Sequence, residues 1–154
     1  MSLKFYHSTP DLRHCLHFET KKIQGLVKAL ISGAIDCVVS NHRPTDEDEK
    51  EVDFESAAFG APHIQTVFAA MNSNTSLELI DLIAILSDRP ANVLGISVNA
   101  IEKDCITNMT IFDPSENFDS DLLSKKDKLY SPFDVSKLQG KVIGVFRDGQ
   151  FNMN

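Results

Sequence analysis

Tryptophan is absent from this 154-residue chain, tyrosine occurs twice and cysteine three times. Cys15, Cys37 and Cys105 are odd in number, widely spaced and outside any paired-cysteine motif. That excludes a disulfide-stapled secreted scaffold and points to a reducing compartment. No apolar run approaches the length of a membrane span, and no Gly-rich phosphate loop occurs. Basic residues do not dominate either: 15 Lys and Arg against 22 Asp and Glu leave a net charge of −7. Such a balance argues against a nucleic-acid phosphate backbone as partner. Asn74-Thr75-Ser76 and Asn108-Met109-Thr110 match the glycosylation triplet, but no secretory leader precedes them. The expectation is a soluble, cytoplasmic protein with neither a nucleic-acid nor a membrane partner.

What is present is an ordinary globular composition, 42% hydrophobic and 24% charged, with room for one domain or two small ones. Leu3 to His7 alternates weakly, as a short strand does, and Thr9-Pro10 closes it. Glu19 to Ser32 is the clearest helix: Ile23, Leu26, Val27, Leu30 and Ile31 fall at helical spacing, and Gly33 is its stop signal. The apolar run Ile35 to Ser40 then reads as a strand. Strand, helix and strand in that order predict one right-handed βαβ crossover and a parallel pair. Residues 63–72 read as a further helix. Thr75-x-x-Glu78 makes a capping box for another, which runs through Leu86 until Pro90. Asp88 caps a short helical turn ending at Gly95. From about residue 97 the character becomes β. Met109 to Phe112 and Lys141 to Phe146 are strand-like, and Asp148-Gly149 is a two-residue hairpin signal. Residues 1–96 are therefore α/β, and residues 97–154 mostly β.

Chemistry-bearing residues concentrate between 35 and 66. The run from Asp46 to Glu55 holds seven carboxylates and one lysine; it reads as a solvated loop before it reads as a cation site. His7, His14, Cys15 and His17 offer ligand atoms at a spacing that matches no structural zinc signature. A Cys–His nucleophile built on Cys15 or Cys37 lacks an orienting third group, and Cys37 sits inside an apolar run.

The landmarks, taken in order, resemble the C-terminal part of the dihydroorotases, zinc amidohydrolases that open or close the dihydropyrimidine ring. Pro10-Asp11-Leu12-Arg13 is similar to the family's Pro-Pro-Leu-Arg, and Gly33-Ala34-Ile35-Asp36 to its Gly-Thr-Ile-Asp. Asn41-His42-Arg43-Pro44-Thr45 stands in the place of Asp-His-Ala-Pro-His, and Glu49-Lys50 matches Glu-Lys. Ala57-Ala58-Phe59-Gly60 through Ile64-Gln65-Thr66 resembles Ala-Pro-Phe-Gly through Leu-Glu-Thr. Arg89 to Gly95 resembles Asn-Pro-Ala-Lys-Ile-Leu-Gly. Thr110 to Pro114, Ser131-Pro132-Phe133 and Leu138 to Val142 also fall where the family has similar segments.

The resemblance implies a fold and a set of roles. The parent fold is a TIM-type barrel, which needs roughly 250 residues, with a small β domain built from both chain ends. This chain would supply the last barrel strands and helices, residues 1–96, and the C-terminal share of the β domain, residues 97–154. The family's zinc-holding His-x-His start, bridging lysine and further histidines have no counterpart here, so no metal or other cofactor is expected for this chain. Asn41 occupies the post of the aspartate that carries the proton. Thr45 replaces a substrate-holding histidine, and Thr9 replaces an asparagine. Phe59 and Gly60 either offer backbone N–H groups to a substrate carboxylate or form a plain turn. His42 reads first as a residue that holds its loop. The implied role is structural or assembly-related, with aspartate carbamoyltransferase or a dihydroorotase-like chain as partner, or with self-association. The alternatives are an amidohydrolase completed by upstream barrel residues and a small metal-binding or small-molecule module.

Overall fold

In the computed structural model, residues 20–53, 55–98, 101–103, 108–119, 121, 123, 131 and 137–153 are described. The expected strand Leu3–His7, Thr9, and the His14–Cys15–His17 cluster lie outside them.

Helix α1 spans Thr20–Ile31 and buries Leu30. Gly33 stops it through a left-handed φ of 75°. The Gly33 N–H reaches Leu30 O at 3.3 Å and the Ala34 N–H reaches Ala29 O at 2.9 Å, which satisfies carbonyls that the last turn leaves open. Ile35–Ser40 is not a strand, contrary to the sequence reading. A strand exists only through a ladder, and no described segment pairs with this one; Val39 is 73% exposed. No parallel pair occurs among the described residues.

A one-turn helix, α2 (Glu47–Lys50), sits within the acidic run. Helix α3 (Val67–Asn74) starts later than the expected residue 63, after a turn at 64–66. Thr75 corrects a second expectation. Its Oγ1 donates to Met71 O at 2.8 Å and its N–H to the same carbonyl at 3.0 Å, so it closes α3. It does not open α4 (Leu79–Leu86), whose N-cap position is Glu78. Helix α4 buries Leu82 and Ile85. Helix α5 (Asp88–Leu94) tolerates Pro90 because the first-turn N–H groups have no intrahelical acceptor. Asp88 is its first residue, and Ser87 occupies the cap position without a side-chain bond. Gly95, at φ 66°, ends it, with Ile96 N–H on Ala91 O at 2.8 Å. The Arg89 guanidinium donates to Leu30 O at 2.6 Å and ties α5 back to α1.

The sheet is open, antiparallel and three-stranded: β1 (Met109–Asn117), β2 (Gln139–Arg147) and β3 (Gln150–Met153), in that order. Asp148 and Gly149, both at positive φ, make the two-residue turn between β2 and β3. Helix α3 lies across one face. Ala69 and Ala70 join Phe118, Leu123 and Leu138 in the buried core. The rings of Phe68 and Phe112 meet edge-on with centroids 4.8 Å apart. Gly140 lies against Phe68, where any side chain would strike the ring. Asn72 donates to Pro114 O on β1 at 2.9 Å and to Gln139 O on β2 at 3.1 Å. The Gln139 N–H answers with Ser73 Oγ at 2.7 Å. The fold is thus mixed helix and strand.

Candidate functional site

Residues 41–66 fold back on themselves through side chain-to-backbone bonds. Asn41 is exposed and sits at φ 48°, a left-handed conformation that asparagine adopts more readily than other side-chain-bearing residues. That turn directs the next residue across the loop. His42 Nδ1 accepts the His63 N–H at 3.1 Å and the Ile64 N–H at 3.2 Å. A nitrogen that accepts two N–H groups carries no proton, which assigns the ring hydrogen to Nε2. The His63 carbonyl in turn accepts the N–H groups of Thr66 and Val67 and the Thr66 hydroxyl, which starts the turn into α3. His42 therefore holds its loop, as the sequence reading favoured.

Two further ties complete the unit. The Arg43 N–H reaches Ala61 O at 3.0 Å. Gly60, at φ 134°, packs so tightly under Arg43 that a Cβ would overlap the Arg43 carbonyl. Lys50 is only 1% exposed, and its ammonium donates to Ala58 O at 2.9 Å and Gly60 O at 2.6 Å. The Ala58 N–H returns a bond to Glu49 O at 2.9 Å. A buried ammonium is costly unless hydrogen-bonded, so these carbonyls and Lys50 fix one another. Sequence reasoning named Lys50 as half of the family's Glu-Lys pair and gave it no role. Its signal was being the lone cation among seven carboxylates.

The predicted site residues are placed unevenly. Phe59 and Gly60 lie on the segment clamped by Lys50, with the Phe59 side chain exposed and Gly60 buried. Thr45 lies on the same loop as Asn41, and its Oγ1 is out of solvent with no hydrogen-bond partner among the described residues. The structure brings 42–43 against 60–64; Thr9 is outside the described residues. The imidazole of His63 is held below its ordinary pKa of 6.5, first by burial and second by His42.

Chemically, the arrangement positions groups without supplying a proton carrier at Asn41, since an amide has no useful basicity. A positioned acid–base group is typically worth about 10²–10⁴ in rate. The zinc ions that the resemblance implies do not fit the described donor set. His42 Nδ1 is engaged by two backbone N–H groups, Asn41 is an amide, and no three His, Cys, Asp or Glu residues gather to hold a metal among the described residues. Among those residues no helix is long and apolar enough to cross a membrane.

No family model matches the chain. Curated relatives do. The dihydroorotase of Ehrlichia canis (strain Jake) is 31% identical over 129 residues, covering 81% of this chain and 29% of that protein. The dihydroorotase of Thermoanaerobacter sp. (strain X514) is 31% identical over 134 residues, covering 83% and 31%. That of Lactobacillus helveticus (strain DPC 4571) is 30% identical over 156 residues, covering 95% and 35%. The chain is thus a homologue of the dihydroorotases that spans about three-tenths of the length of the relatives it matches.

Proposed function

We propose that this chain is a dihydroorotase-like protein without catalytic activity of its own, serving a structural or assembly role. On this reading residues 1–96 are the last part of an amidohydrolase barrel and residues 97–154 part of its small β domain. The chain holds no zinc by itself and works in the cytoplasm. It associates with aspartate carbamoyltransferase, with a dihydroorotase-like chain, or with itself. The observation that carries the reading is Asn41: a carboxamide, exposed and turned by a left-handed backbone, at the post where the family keeps a carboxylate. Thr45 and Thr9 replace two substrate-holding side chains. Phe59 and Gly60 retain the family's residue types on a clamped segment, so a carboxylate ligand is the one substrate feature this chain could still grip.

A second reading has its own support. The relatives extend over roughly three times the aligned length, so an upstream polypeptide could complete an active cyclic-amide hydrolase that turns dihydroorotate into carbamoyl aspartate. Hydrolysis of dihydroorotate with added zinc separates the two. The first reading expects no turnover by the chain alone, and turnover at an enzymatic rate overturns it. Activity that needs both an upstream barrel fragment and Asn41→Asp supports lost competence on a family scaffold. Activity with that fragment and unaltered Asn41 supports the second reading. Elemental analysis of the purified chain, expected to find no stoichiometric metal, tests the zinc statement separately.

A further inference from the structure

We propose that Asn41 is a self-modifying position, converted to aspartate and isoaspartate by attack of the His42 backbone nitrogen on its carboxamide. The chemistry needs an asparagine side chain free to turn and a following N–H outside any ladder or helix. A backbone held in regular structure cannot bring the next nitrogen onto the side-chain carbon.

The fold sorts the asparagines on those two counts. Among the described residues, Asn72, Asn74 and Asn92 lie in helices, and Asn117 and Asn152 in strands. The amides of Asn72 and Asn74 are further tied to backbone carbonyls, and Asn108 Oδ1 accepts the Asp148 N–H at 3.0 Å. Asn41 differs from all of these. It is exposed, lies in no helix or strand, and makes no side-chain hydrogen bond among the described residues. The neighbouring nucleophile is just as loosely held: the His42 N–H donates to Ser40 Oγ at a long 3.3 Å, in solvent.

Two further features free the rotation that ring closure needs. The φ of 48° at Asn41 lies in a region costly for a residue with a side chain, so turning out of it releases strain. The segment upstream, 35–40, enters no ladder among the described residues. Residue 41 can therefore turn with that segment while His42 and Arg43 stay anchored on residues 61–64.

The steps balance with water as the sole co-reactant. The His42 nitrogen gives its proton to solvent and bonds to Asn41 Cγ, while Nδ2 takes up a proton and leaves as ammonia. Water then opens the cyclic imide. Breaking the new N–Cγ bond gives aspartate; breaking the original peptide C–N bond gives isoaspartate, with the chain rerouted through the side chain. The consequence rests on the reading of Asn41 given above: the aspartate product puts a carboxylate at the proton-carrying post, and isoaspartate lengthens the backbone there.

The test ages the folded full chain in mildly alkaline buffer made with heavy-oxygen water and maps its peptides by mass spectrometry against a fresh sample. Asn41 should gain heavy oxygen roughly tenfold faster than Asn72, a barrier difference of about 1.4 kcal/mol. Asn72 is the demanding reference, because the small Ser73 after it leaves its sequence open to the same attack. In urea, where the ties of Asn72 are gone, the two rates should converge. Asn41→Gln lengthens the side chain, makes ring closure slow and should abolish conversion at 41. Equal rates for Asn41 and Asn72 in the folded chain, a rate ratio that survives urea, or conversion that persists in Asn41→Gln would overturn the proposal. Dihydroorotate turnover by the same samples bears on catalysis alone, so the two readings fail separately.

Discussion

The loop unit at 41–66 and the sheet with its helix α3 are held by different physics. The sheet is an ordinary solution: a ladder, an apolar core at Ala69, Ala70, Phe118, Leu123 and Leu138, and an aromatic contact. Among the described residues the loop unit has almost no regular structure, a four-residue helix being its only element before α3. A buried ammonium, an imidazole lone pair and one tight glycine supplement the small buried residues Ala57 and Ala61. Apolar packing spreads stability over many atoms, whereas the loop adds to its small buried residues polar ties at Lys50 and His42 and a close backbone approach at Gly60. The segment bearing the residues proposed to stand at catalytic positions is therefore the one that depends on polar fit.

Four changes would sharpen or break that contrast. Leu138→Ala, in the sheet core, should cost about 3 kcal/mol and lower the unfolding midpoint seen by far-UV circular dichroism. Lys50→Met should cost about 2 kcal/mol, since it leaves the Ala58 and Gly60 carbonyls without their buried donor. Limited proteolysis should detect that loss in residues 46–60 before circular dichroism registers loss of the sheet; simultaneous loss would merge the two regions into one cooperative unit. Thr45→Val removes a buried hydroxyl that has no described partner and should be neutral or stabilising by about 1 kcal/mol in urea unfolding.

The smallest effect is that of pH. The folded pKa of His63 lies below its unfolded value of 6.5, so the unfolded state binds more protons just below that pH. Its contribution is complete above pH 6.5 and is lost as the pH falls from there through the folded value. Hydrogen exchange at the His63 and Ile64 amides should therefore quicken relative to the sheet amides as the pH drops, after correction for intrinsic rates. Equal acceleration in both regions would contradict a localised effect.

The sheet end was more legible in the sequence than the loop. Asp148-Gly149 declared the hairpin because two positive φ angles in succession suit few other pairs. Gly33 and Gly95 declared helix ends for the same reason. Thr75 misled because a threonine three residues before a glutamate is compatible with starting one helix or finishing another. The difference is which neighbour lies within reach of its hydroxyl, a tertiary fact. Ile35–Ser40 misled because apolar residues signal a strand's side chains without supplying the ladder that defines it. At the candidate site, the order of the motifs was readable and Asn41 could be named. The clamp was not readable, since a lysine among seven carboxylates looks solvated until its ammonium is seen facing two carbonyls.

Helix α3 is eight residues long, roughly 12 Å, and is gripped at both ends. Upstream, the turn that launches it hangs from His42; downstream, Asn72 and Ser73 hook both long strands. It acts as a strut of fixed length, so the resting place of Asn41 is gauged from the sheet as much as from its own loop. Replacing Asn72 with alanine would then unhook the strut at its far end, and its signature should be a displaced residue 41 whose immediate neighbours are all intact.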